Sequence, residues 1–300
     1  MMKKSVAVVC TLVWALGAMA GAEVLLNETF ADGSRTETNL PNESAVWISH
    51  PDGVTMGTGS LAFDQTATSG SQKMWTYFTP NGSPVSLGVG EQLVATIQFT
   101  PRVTLYDKSS KNFRFGLFYD PTDDQYWSDV NSDDGNGRWG DSTGYAVHFP
   151  LSSGPSSANS SVGKRVPDLT SSLLGSGSAY PGLSSGGDKF TVTLDTLYTL
   201  TLALDYQAVD QMLVTFSIAD ALGVISTNSI VDDGTFGGHD MGIYTQFDQL
   251  FFRFSEAAGT ADVLDFHSIK VEHIIPEPAS IALLGLGALA VLKRRSQAAV

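Results

Sequence analysis

About thirteen short runs in this 300-residue chain alternate apolar and polar residues, and between its two ends no window repeats with a 3.6-residue period. That pattern is the strongest constraint on the fold. Side chains of a strand point alternately to two faces, so each run offers one apolar face that must be covered. Val24–Phe30, Ala45–Ser49, Ser60–Gln65, Lys73–Thr79, Gln92–Thr100, Asn112–Tyr119 and Gly144–Pro150 are runs of this kind. So are Leu197–Tyr206, Met212–Ala219, Val224–Ile230, Gly242–Phe247, Leu250–Ser255 and Val263–His273. A short turn at Gln207–Gln211 joins two of them and predicts a hairpin. Thirty glycines and an excess of Asp over Glu supply turns and disfavour helices. One-sided sheets bury their apolar faces on each other, so the expected fold is all-β, a two-sheet antiparallel sandwich. The alternation places Trp47, Phe99, Phe115, Phe118, Leu202, Leu204, Phe216 and Phe252 in the core. The Ser/Gly-rich stretches Ser152–Ser161 and Ser171–Gly187 are expected to be exposed and mobile.

The two ends read differently. Lys3 and Lys4 precede the apolar run Ser5–Leu16, and Ala18-Met19-Ala20 follows. This is the pattern of a secretory signal peptide, residues 1–22, with cleavage after Ala20 or Ala22. The lone cysteine, Cys10, falls inside it, so the exported chain is expected to have no thiol and no disulfide. At the other end, residues 276–300, Pro276-Glu277-Pro278 forms a rigid turn. Ala279–Leu292 carries no charge, and Lys293, Arg294 and Arg295 close it as a stop-transfer cluster. These 14 apolar residues span roughly 21 Å, short of the ~30 Å hydrocarbon core. Ile274 and Ile275 upstream, and snorkelling of the basic side chains, extend the span. The order turn, apolar run, basic cluster resembles the PEP-CTERM sorting signal of Gram-negative bacteria. That resemblance implies signal peptidase and exosortase as processing partners and a transmembrane helix that anchors the protein only until cleavage near Pro276–Pro278. It implies export through the inner membrane and transfer of the body to the cell surface or extracellular matrix.

Between the signals lies a single body, residues 23–275, with no internal repeat and no interdomain linker. It carries 12 basic and 30 acidic side chains once Lys3, Lys4, Lys293, Arg294, Arg295 and Glu277 are set aside. Nucleic acid is an unsuitable partner for such a surface, and so is an anionic membrane. An acidic surface suits solubility outside the cell and can hold divalent cations.

Phe30-Ala31-Asp32-Gly33 with Trp47, then Phe113-Arg114-Phe115-Gly116-Leu117-Phe118, then Leu264-Asp265-Phe266-His267-Ser268-Ile269-Lys270-Val271, together resemble the concanavalin A-like lectin/glucanase family. The resemblance implies a jelly roll whose first and last strands pair near each other. Phe266-His267 stands where that family usually has an asparagine step. The fold hosts lectins, glycosidases and structural modules, so function has to be argued from residues. A glycosidase needs two carboxylates about 5–9 Å apart, carried on one strand at spacings of two or four. Among the body's glutamates only Glu28, with Asp32 at a strand end, has that spacing, and no G-x-S-x-G elbow occurs. The expectation is therefore a protein that is not an enzyme and binds polysaccharide. A structural matrix protein without a discrete ligand site and an atypical glycoside hydrolase are the alternatives.

The most unusual stretch is Asp120–Asp141, with seven aspartates and the rings of Tyr126, Trp127 and Trp139. Asp129, Asn131 and Asp133 place oxygen ligands at alternating positions, a spacing that suits calcium, although the EF-hand glycine and terminal glutamate are missing. Read structurally, the same stretch is a solvated acidic turn. Tyr126, Trp127 and Trp139 can stack on sugar faces as an exposed platform, or pack inside the fold.

Overall fold

A computed structural model describes residues 21–37, 39–49, 54–64, 72–102, 113–121, 125, 128–129, 139–151, 159–167, 173–174, 180, 184–235, 241–254 and 263–276. These residues form strands and turns, with no helix among them. The strands are β1 (Gly21–Glu28), β2 (Val46–Ile48), β3 (Val54–Gly57), β4 (Ser60–Asp64), β5 (Gln72–Tyr77) and β6 (Val85–Ser86). They continue as β7 (Gln92–Pro101), β8 (Phe113–Tyr119), β9 (Thr143–Phe149), β10 (Ser160–Lys164), β11 (Ser184–Gly186) and β12 (Tyr198–Ala208). The last five are β13 (Gln211–Asp220), β14 (Gly223–Asp232), β15 (Gln246–Phe247), β16 (Gln249–Phe254) and β17 (Val263–Ile275). Residues 24–273 form one compact unit. Residues 1–23 and 274–300 form a second, of which residues 21–23 and 274–276 are described. The signal-peptide core and the apolar run 279–292 lie outside the described residues.

The strands make two large antiparallel sheets. One has eight strands in the order β14-β13-β12-β7-β17-β4-β3, with β1 also paired to β17. The other has seven, β11-β10-β9-β8-β16-β5-β2, and β6 pairs separately with β15. The first and last strands are thus neighbours, and the last strand is central in its sheet. Between the sheets, every second residue is apolar. Leu93, Ala95, Ile97 and Phe99 of β7 continue into Leu200, Leu202 and Leu204 of β12. Phe113, Phe115 and Leu117 of β8 and Tyr145, Val147 and Phe149 of β9 face them from the seven-stranded sheet. Phe113 lies at the centre of this core. Its ring stacks at 6.4 Å on Phe99 and lies 5.1 Å from Phe149. Offset and edge-on rings add to what area burial alone contributes.

The hairpin expected at Gln207–Gln211 forms with Ala208 opposite Gln211, and Asp210 takes a left-handed conformation (φ 60) at its tip. Phe99, Phe115, Phe118, Leu202, Leu204, Phe216 and Phe252 are all buried. Trp47 is only half-buried, because Val46 and Ile48 take the inward positions of β2 and send its ring to the outer face. The expected strand Gly242–Phe247 shrinks to Gln246–Phe247. The two Ser/Gly-rich stretches also depart from expectation. Ser160 and Ser161 are fully buried in β10, Leu173, Leu174 and Tyr180 are buried, and residues 184–186 are strand β11. Small side chains let β10 lie between covered faces, and its polar groups find partners. Ser160 Oγ donates to Gly186 O, and Asn228 Nδ2 donates to Ser160 O.

At this edge an ion pair joins the two sheets. Lys164 Nζ of β10 lies 2.8 Å from Asp232 Oδ2 of β14, and both side chains are 1% exposed. Tyr145 OH donates to the same oxygen at 2.7 Å, Gly234 N donates to Oδ1 at 2.9 Å, and Lys164 also donates to Gly242 O. Asp232, and above all burial, hold the Tyr145 phenol well above its ordinary value, so it remains a donor.

Two stability outcomes are expected. Phe115→Ala opens a cavity among four neighbouring rings and should cost about 3–5 kcal/mol in denaturant unfolding of the body. Asp232→Ala leaves Lys164 buried without its counter-ion and should cost about 3–5 kcal/mol, whereas Lys164→Met with Asp232→Leu should recover most of that loss.

Candidate ligand-binding face

The outer face of the seven-stranded sheet differs in chemistry from the inner one. Register decides what meets there. Arg253 of β16 lies opposite Lys73 of β5 on one side and Arg114 of β8 on the other. Arg114 in turn lies opposite His148 of β9, and His148 opposite Ser161 of β10. Four basic side chains therefore stand in one row across four adjacent strands, at the ~5 Å spacing of directly opposed residues. The next row reads Trp47, Trp75, Phe251, Gly116, Ala146 and Gly163. Aromatic rings fill one half of it and the smallest residues the other. Gly116 cannot be larger, since a side-chain carbon there would stand 2.4 Å from Tyr145 O.

Three segments rest on this face. Leu174 O accepts from Arg114 Nη1 at 2.9 Å and from Arg253 Nη1 at 2.8 Å. Both arginines are half-buried, while Lys73 and His148 are buried. Burial, and then the charge of Arg253, push the Arg114 guanidinium down to about 10. Tyr180 packs edge-on against His148 at 4.9 Å and donates to Leu173 O. Burial raises its phenol to about 12, so it remains neutral beside the arginines. Trp139 is fully buried, with its ring 5.4 Å from Trp75 and 5.0 Å from Phe251. Arg165 fixes that end of the acidic loop, donating to the carbonyls of Trp139, Gly140 and Ser142.

Of the residues singled out in the sequence, Trp139 and Asp129 are described, and Tyr126, Trp127, Asn131 and Asp133 lie outside the described residues. Trp139 contributes its ring to a second small core and presents no surface to a sugar. Asp129 works on the sheet edge. Its Oδ1 accepts from Ile48 N at 3.0 Å and from Arg35 Nη1 at 3.0 Å, and its Oδ2 from Arg35 Nη2 at 2.6 Å. Arg35 Nη1 also donates to Val46 O. The open edge of β2 is thereby covered, which is how sheets avoid pairing with other chains. A calcium ion does not fit Asp129, because both oxygens are engaged and the guanidinium would repel the cation. Among the described residues no group of three or more His, Cys, Asp or Glu side chains could hold a metal ion.

Glu28 also proves structural in its contacts. Its Oε1 accepts from Phe30 N at 2.6 Å and holds a turn in which Phe30 is left-handed (φ 53). Burial first, then Asp32 and Glu43, raise its carboxyl. In the sorting tail, Pro276 directly follows the last strand. Glu277, Pro278, Lys293, Arg294 and Arg295 lie outside the described residues. Asp129→Ala should cost about 1–3 kcal/mol in thermal or urea unfolding, because it strips Ile48 N and Arg35 of their shared acceptor. The same substitution should leave the response of the melting temperature to calcium unchanged.

No curated protein sequence matches the chain. Similar solved structures include several lectins. Peanut lectin with a bound nine-residue peptide superposes with a TM-score of 0.46 at 11% identity, over 85% of this chain and 99% of that one. Winged bean acidic lectin with methyl-α-D-galactose gives 0.48 at 9% identity, over 86% and 100%. Lectin I from Ulex europaeus with a methyl fucoside gives 0.47 at 10% identity, over 83% and 97%. Residues 275–296 match the PEP-CTERM protein-sorting motif, the mark of an exported protein sorted to the envelope of a Gram-negative bacterium.

Proposed function

We propose that the body binds an anionic polysaccharide on the outer face of its seven-stranded sheet, at the cell surface to which the tail delivers it after removal by an exosortase-type protease. The half-buried pair Arg253 and Arg114, directly opposed on β16 and β8, is the observation that carries this reading. Like charges directly opposite on neighbouring strands repel, and burying cations costs free energy. A row of Val or Leu would stabilise the sheet better. On a chain of net charge −14 these cations do not serve solubility either. Arg114 and Arg253, the half-buried pair, present planar forks suited to carboxylate or sulfate groups. Trp47, half-buried on the edge strand β2 of the same face, offers an apolar ring to a sugar face. Binding is favoured over catalysis by Glu28, the one carboxyl raised among the described residues, which is spent on its own turn.

A structural matrix role without a ligand is favoured by one observation, the complete burial of Trp75, Tyr77 and Trp139. Calorimetric titration with polygalacturonate and with dextran separates the two. Binding of the anionic polymer alone, weakened by salt and reduced about tenfold or more by Arg253→Gln, is expected. Absent binding of both polymers would leave the structural role, and equal binding of both would overturn the preference for an anionic polymer.

A further inference from the structure

The ion pair between the sheets is arranged more fully than charge neutralisation requires. Lys164 Nζ and Asp232 Oδ2 lie 2.8 Å apart, each on a side chain 1% exposed. Gly242 O accepts another N–H of the lysine, and the Tyr244 ring stands 4.6 Å from Nζ as an apolar wall. Gly234 N donates to Asp232 Oδ1 at 2.9 Å, the oxygen turned away from the amine. Tyr145 OH donates at 2.7 Å to Oδ2, the oxygen turned towards it. Tyr244 N donates to the Tyr145 oxygen at 3.0 Å, which leaves the phenolic proton aimed at the carboxyl. This is a donor set for acyl transfer at the carbon between the two oxygens. An amide stabilises the oxyanion, and a phenol serves the leaving oxygen. An amine in hydrogen-bond contact with a carboxyl needs only a small movement to reach its carbon at about 3–3.5 Å. Burial favours the same step, because a neutral amine and acid compete with an ion pair where charge is poorly solvated. The single cysteine, Cys10, precedes the body, so no disulfide can join its sheets.

We propose that Lys164 and Asp232 condense to an isopeptide bond joining β10 to β14 across the sandwich, with Tyr145 as the catalytic acid. One proton passes from the ammonium to Oδ2 along their contact, leaving a neutral amine and a carboxylic acid. The Nζ lone pair then bonds to the carboxyl carbon, and the charge that develops on Oδ1 faces Gly234 N. The nitrogen gives up a proton, which Tyr145 relays to Oδ2, and the bond from carbon to Oδ2 breaks with release of water. The sum is ammonium plus carboxylate to amide plus water, with no oxidant and no co-reactant. The burial that excludes water also protects the amide from hydrolysis. The bond closes a loop of roughly 70 residues, a constraint that acts on the unfolded chain. The ion pair of the structure is the precursor, and the recovery expected of Lys164→Met with Asp232→Leu is measured against that precursor.

The test is a tryptic digest of the full chain purified from its own host, read by mass spectrometry. Trypsin does not cut after an acylated lysine. Condensation should therefore join Trp139–Arg165 to Phe190–Arg253 with loss of one water, about 18 Da. Lys164→Arg keeps the charge and should yield only the separate peptides. Tyr145→Phe keeps the ring and should lower the joined fraction about tenfold or more at a fixed time after synthesis. The wild-type digest decides the matter even where a variant fails to fold. Separate wild-type peptides, cut after Lys164, would overturn the inference, and so would Lys164 joined to any other carboxyl. A joined fraction in Tyr145→Phe equal to that of wild type would overturn the part given to Tyr145.

Discussion

Two consecutive cations at the end of β10 fix the molecule on both sides of one sheet. Strand alternation sends Lys164 inward and Arg165 outward. Inward, the ammonium meets Asp232 and the Gly242 carbonyl and lies 4.6 Å from the centre of the Tyr244 ring. Outward, the guanidinium gathers the carbonyls of Trp139, Gly140 and Ser142. The first contact ties β10 to β14 across the sandwich. The second seats Trp139 on Trp75 and Phe251 and so sets where the acidic loop ends on the outer face. Tyr244 connects the two, since its hydroxyl donates to Arg165 O while its ring lies beside Lys164. A buried ion pair is poor evidence of net stability, but its geometry admits few alternatives. Here it specifies which edge of one sheet meets which edge of the other.

The inner face of the sandwich was legible in the sequence, and the outer face was not. Burial demands an apolar residue at every second position, and that demand shows in a single strand such as Leu200, Leu202 and Leu204. The basic row is invisible strand by strand. Lys73, Arg114, His148 and Arg253 each look like an isolated polar residue of a single strand. Only the registers across β5, β16, β8 and β9 make them one feature, and register is set by long-range pairing. Each sits one residue in from a strand end, where a polar residue draws no notice. β10 escaped for a related reason. With both faces covered it has no alternation, and Ser160 and Ser161 read as loop.

The acidic loop shows how composition can mislead about individual residues. Its aspartates mark it as solvated, yet Asp129 is held by an arginine and a backbone amide at a sheet edge. A strand three residues long, β2, is the outermost of its sheet and leaves Ile48 N without a strand partner on that side. A carboxylate supplies the acceptor that a further strand would otherwise provide, and Arg35 compensates its charge. Nothing local to Asp129 announces this, because Arg35 and Ile48 are 94 and 81 residues away in sequence.

The position of β17 constrains the order of events after export. The strand made last lies between β7 and β4 and also pairs with the strand made first. Until it arrives, the long strand β7 has an open edge, and β1 exposes the side chain of Leu26, which the finished core buries completely. Pairings this distant in sequence close slowly, since the loop entropy is lost before any contact repays it. A chain exported N-terminus first therefore crosses as an incomplete sandwich. Its excess of negative charge keeps such a form soluble and apart from its copies while it waits. Completion comes only when residues 263–275 have emerged. A sorting signal fused this closely to a central strand is presented just as the body becomes complete.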